Sequence, residues 1–147
     1  MTLYSFFLHA HSGWRYVVTI LIVVAIFMAF SGWLGKKPYT ELNRKINLFT
    51  LISAHIQLLL GLVLYFTSPL VQFNSETMKN DTTRYWTVEH ITMMIIAIIL
   101  ITVGHSKAKK LVLPEKKHRT IALYYTIALI IVIVAIIQSQ RPFLGMS

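Results

Sequence analysis

The sequence predicts an all-α integral membrane protein, a four-helix antiparallel up-down bundle, and three observations carry that prediction. The apolar residues fall into four blocks of about 20, each long enough to cross roughly 30 Å of hydrocarbon at about 1.5 Å per residue. Hydrophobic residues make up 56% of the 147 and charged residues only 13%, which sets the chain apart from an ordinary soluble domain. The connections between blocks are short, which favours antiparallel neighbours with their polar side chains turned inward.

The first span is expected over about 12–34. Trp14 and Tyr16 mark one interface and Trp33 the other. This block is long, has no Lys or Arg before Arg15 and ends in Gly-Lys-Lys without a small-residue cleavage site, so it reads as a retained span and not as a secretory signal. Pro38 breaks the helix, and Thr40 suits the N-cap of the next one. The second span covers about 46–67, carries Ser53, His55 and Gln57 in its first half and ends at Ser68-Pro69. A polar surface loop over 70–84 leads to the third span, about 85–104. A basic hairpin follows, in which Pro114 fits the first turn of the last helix, with the fourth span at about 120–138. A single transmembrane domain over 1–147, without a repeat, is the expected organisation.

Charge sets the orientation. Lys36, Lys37, Arg44, Lys45, Lys107, Lys109, Lys110, Lys116, Lys117 and Arg119 follow spans one and three, whereas the other side has only Arg15, Lys79, Arg84 and Arg141. Ten cations against four place both termini on the non-cytoplasmic side. The net charge of +9 therefore serves topology and contact with the lipid bilayer, and no nucleic-acid partner is expected. The absence of cysteine excludes disulfides, iron–sulfur clusters, thiolate zinc and covalent c-type haem attachment. Glycine-rich phosphate loops, a serine elbow, a His-Glu-x-x-His motif and a carboxylate pair are also missing.

The chemistry resides in six histidines and one acid, Glu89, set within an apolar run. An ionisable group at that depth costs roughly 2.5 to 3.5 kcal/mol and is expected to face a partner or a cofactor. His9 and His11 sit at the outer end of span one, with Arg15 one turn lower. Glu89 and His90 sit about one turn below the same face in span three. His55 lies about 10 Å above the cytoplasmic edge, and His105 and His118 belong to the basic rim. Two imidazoles from two helices at one depth, inside apolar walls, are what a bis-histidine haem b needs. His11 with His90 is the best-matched pair, and His9 can replace His11. Arg15 would neutralise a propionate or pair with Glu89, and Trp14, Met93 and Met94 would line the pocket. A second haem held by His55 with His105 or His118 is a weaker arrangement. Plain polar contacts between helices are the competing reading for His11, His55 and His90.

The segments Leu8-His-Ala-His-Ser-Gly-Trp-Arg-Tyr, Ala54-His-Ile-Gln-Leu-Leu-Leu-Gly-Leu and Val88-Glu-His-Ile-Thr-Met-Met resemble those of small bacterial four-helix membrane proteins of the cytochrome b-like kind. They are similar, more loosely, to one half of haem A synthase. The resemblance implies haem ligation by His11, His55 and His90. The function expected is that of a haem b electron carrier or respiratory accessory subunit, working between a quinone and respiratory-complex subunits or a second copy, and not that of an autonomous enzyme. Two alternatives remain open. In one, His9, His11, Glu89 and His90 hold a non-haem metal such as copper for oxidase assembly. In the other, a cofactor-free structural subunit or small transporter uses Arg15, Glu89 and His55 as a polar network.

Overall fold

The structure, a computed structural model, describes residues 2–139. Arg141, counted above among the outer cations, lies outside the described residues. The regular structure described is helical: α1 (Leu3–Leu34), α2 (Glu41–Thr67), α3 (Asp81–Lys110) and α4 (Pro114–Ser139), with a short 3₁₀ turn at Thr77–Lys79 before α3. All four long helices are apolar enough to cross a membrane.

Each helix outruns its apolar block, because hydropathy marks the part that suits hydrocarbon whereas the helix continues until a cap stops it. α1 starts at Leu3, where the Thr2 hydroxyl accepts from Ser5 N at 3.1 Å. Thr40 caps α2 as expected. It does so as a capping box, with Asn43 answering from the third helical position. Pro114 opens α4. α3 runs on through the basic segment to Lys110, where three lysines face its negative dipole end and Lys117 Nζ donates to the Ala108 carbonyl at 2.8 Å.

α1 packs against α2 and α4, and α3 packs against α4 and, more lightly, α2, so the helices follow one another around the bundle in chain order. Cross-helix contacts fix the antiparallel register. Trp14 Nε1 donates to Ser53 O at 2.9 Å and Gln57 Nε2 to His11 O at 2.9 Å, so α2 rises as α1 descends. Between α3 and α4, Gly104 meets Tyr124 and Tyr85 meets Ala135, again in opposite order.

The core is built from small residues: Ala25 and Ala29 of α1, Ala54 of α2, Ala97 and Ala108 of α3, and Ala122, Ala128 and Ala135 of α4. Bulky side chains such as Phe27, Leu59 and Phe66 point outward. This reverses the order of a soluble bundle. In lipid the exterior is as apolar as the interior, so helices associate where small residues let their backbones approach.

Polar groups close the basic end. Tyr125, fully buried, donates to Asn47 O at 2.9 Å, and Asn47 Nδ2 donates to the Tyr39 hydroxyl at 2.8 Å. Burial pushes the Tyr39 phenol above its ordinary pKa, so it stays protonated. His118 stacks near Tyr39, with ring centres 5.2 Å apart, and its Nε2 lies 3.2 Å from Pro38 O. His118 lies at the basic rim as expected and is also buried there, since Gly32 of α1 offers no side chain where its ring lies.

A Cβ added at Gly104 would sit 2.5 Å from Tyr124 Cβ, an atom fixed by its own backbone. Gly104→Ala is therefore expected to destabilise the bundle by about 1–3 kcal/mol through overpacking. A lowered melting temperature of the purified protein in detergent checks this, and an unchanged one would refute it.

Candidate cofactor site

At the end of the bundle away from the basic connections, α1 presents His11, Ser12, Arg15, Val18 and Ile22 inward, at spacings of three and four that put them on one helical face. The position of that face is set from α2. Gln57 grips the His11 carbonyl, and one turn further along Gly61 leaves the room that the His11 ring uses. A Cβ at Gly61 would lie 3.2 Å from His11 Nε2. Arg15 folds over the Tyr16 ring, 5.0 Å from its centre, and donates to the Tyr16 hydroxyl at 3.2 Å while lining the same space.

α3 contributes through an irregularity. From Tyr85 to Glu89 it widens into a π-helical turn, closed by a bond from His90 N to Tyr85 O. Residues five apart in an α-helix diverge by about 140°. Across the wider turn they come together, and Tyr85, Trp86 and His90 form one cluster. The Trp86 and His90 ring centres are 5.0 Å apart and those of Tyr85 and His90 5.7 Å. The buried Tyr85 hydroxyl donates to the Ala135 carbonyl of α4 and lies 3.3 Å from His90 Nδ1.

These elements enclose a cavity of about 210 Å³ reached by all four helices. Its walls are mostly aliphatic, with Leu58, Ile91, Met94, Ile98 and Val132 among them. His11 and His90 stand within it, their ring centres 6.4 Å apart and their planes inclined at 68°.

Of the residues singled out in the sequence, the structure thus gathers His11, His90 and Arg15, with Met94 in the wall. The others stand apart. His9 is exposed, and its Nδ1 lies 2.7 Å from Ser5 O on its own helix. His55 is exposed on the far face of α2, with Nδ1 2.8 Å from Leu51 O. Glu89 pairs with Arg84 at 2.8 Å and not with Arg15, since the π turn directs its carboxylate back to the start of α3, where Arg84 also meets Asp81. Trp14 is occupied with Ser53, and Met93 is not in the wall. Sequence reasoning passed over Tyr85, Trp86 and Gly61. The five-residue step from Tyr85 to His90 is off-period for an α-helix, so only the π turn reveals it. No family model, no curated protein and no solved structure matches this chain.

Buried Thr87 holds the π turn to the preceding connection. Its carbonyl accepts from the Tyr65 hydroxyl at 2.7 Å, its hydroxyl accepts from Gln72 N at 3.0 Å, and that hydroxyl in turn donates to Gln72 O at 3.3 Å. Thr87→Val would leave the Gln72 amide without this acceptor, whereas the Gln72 carbonyl keeps the Thr77 hydroxyl as a donor, so a loss of about 0.5–1.5 kcal/mol, that of one hydrogen bond, is expected. Amide hydrogen exchange at Gln72 is expected to accelerate, and retention of wild-type protection would contradict the clamp.

Proposed function

We propose that the protein is a multi-pass membrane haem b protein in which His11 and His90 would hold the haem, serving as an electron carrier or respiratory accessory subunit. The observation that carries this reading is the ring separation. Two imidazoles that held one iron between them would have ring centres about 6 Å apart. The 6.4 Å between His11 and His90 fits that requirement.

When bound, the haem would supply an iron centre that takes and gives one electron. The chain's own groups have separate tasks. His11 and His90 each offer a neutral nitrogen. Arg15, in the same cavity, offers a cation for a propionate, and the aliphatic wall excludes water and lowers the local dielectric, which tunes the potential. The partners envisaged are a quinone and respiratory-complex subunits or a second copy. The basic connections would face the cytoplasm of a bacterium and both termini the other side of its inner membrane.

The arrangement favours haem over the alternatives. A non-haem metal would need His9 and Glu89 as further donors, yet His9 bonds within its own helix and Glu89 pairs with Arg84. No group of three His, Asp or Glu side chains converges among the described residues, and haem requires only two protein ligands. A network joining Arg15, Glu89 and His55 lacks its links for the same reasons.

Detergent-purified protein reconstituted with haem is expected to show a reduced b-type α-band that His11→Ala and His90→Ala each abolish and His55→Ala preserves. A colourless wild type, or loss of the band in the His55 variant, would defeat the assignment. Orientation can be tested independently, as the chain has no native cysteine. In intact cells a membrane-impermeant maleimide should label Ser75→Cys and spare Lys36→Cys. The reverse pattern would invert the topology.

A further inference from the structure

The contacts around Tyr85 bear on where the proton of His90 resides. A phenol has a single proton and two lone pairs, and a backbone carbonyl can only accept. The Tyr85 proton goes to the Ala135 carbonyl on the neighbouring helix. A second bond at the same oxygen must therefore be one that Tyr85 accepts, and the group beside it is His90 Nδ1, at 3.3 Å. We infer that Tyr85 is a positioning residue that holds neutral His90 in the Nδ1–H tautomer, leaving the lone pair on Nε2. The chain of donors runs from His90 Nδ1–H to the Tyr85 oxygen, and from Tyr85 O–H to the Ala135 carbonyl.

Three features make this an arrangement specific to the site. Tyr85 is 6% exposed, so water does not compete for its oxygen. The π turn brings residues 85 and 90 to one side of α3, where a regular turn would separate them. Trp86 packs against the His90 ring from the same turn and limits its rotation. The inference deepens the haem reading given above and rests on it for its purpose: a ligand whose second ring nitrogen donates to a fixed acceptor has its lone pair, orientation and basicity set in advance. The tautomer itself does not depend on haem.

The test begins with the protein free of haem. Wild type labelled with ¹⁵N-histidine is measured at alkaline pH, where the ring is neutral, with the His90 signals assigned by their loss in His90→Gln. Two-bond ¹⁵N–¹H correlations should show the proton on Nδ1, and Tyr85→Phe should move it wholly or partly to Nε2. A wild-type proton on Nε2, or a pattern unmoved in Tyr85→Phe, overturns the inference. The wild-type spectrum decides even if the variant is unstable. With haem bound, Tyr85→Phe should keep the α-band and shift the midpoint potential upward, because the ligand loses the acceptor that made it more basic. An unchanged potential counts against a positioning role. Failure of the wild type to bind haem would instead overturn the haem assignment and leave the tautomer result standing.

Discussion

The widened turn from Tyr85 to Glu89 is the constraint on which the site depends. Irregular backbone is costly at membrane depth, because carbonyls that leave the helical ladder have no water to turn to. Here side chains from outside α3 take part: Tyr65 from the end of α2 donates to the Thr87 carbonyl, and the Gln72 backbone exchanges bonds with the Thr87 hydroxyl. These bonds tie the α2–α3 connection to the first turns of α3 and hold the irregularity in place. The consequence is local and chemical. Tyr85, Trp86 and His90 share a side of the helix, and the His90 ring meets that of His11 from α1.

The second determinant is where close packing stops. Alanines and Gly104 bring α3 and α4 together along most of their length, and Gly32 lets His118 seat against α1. α2 and α3 touch more lightly, and the bundle opens at the end where both meet His11. Small residues thus act in two ways. At Gly104 the absent side chain draws two helices together, whereas at Gly61 it leaves space for an imidazole. The sequence alone does not separate these uses, since which neighbour meets each glycine depends on the packing of another helix.

Four apolar helices, their order, the caps at Thr40 and Pro114 and the nearness of the His11 and His90 rings were legible because each follows from periodic features. Those features are block length, loop length, capping chemistry and rise per residue. Depth counting worked for His11 and His90 because both helices enter from the same end and the count is short. It was blind to azimuth, so it could not see that His55, His9 and Glu89 point elsewhere. A residue's direction around the helix depends on which neighbours pack against it, and for Glu89 also on the extra residue in the π turn. The Arg84–Glu89 pair is one consequence, because the wider turn brings the carboxylate within reach of a cation that is off-period in a regular helix.

Burial alone is a poor guide to which histidine does chemistry here. His118 is the most enclosed of them at 1% exposure, yet its ring is wedged between Gly32 and Tyr39 with Nε2 at the Pro38 carbonyl, which makes it a structural pin. His11 and His90 are only half-buried, but they border a cavity that Arg15 also lines, and their rings meet edge-on from separate helices. What separates the two classes is the space in front of the ring. The space around the His118 ring is filled by packing, whereas the His11 and His90 rings also line a cavity. The two ends of this bundle use the same side chain in these opposite ways. The basic end is closed by Tyr39, Asn47, His118 and Tyr125, and at the other end the rings of His11 and His90 border a cavity.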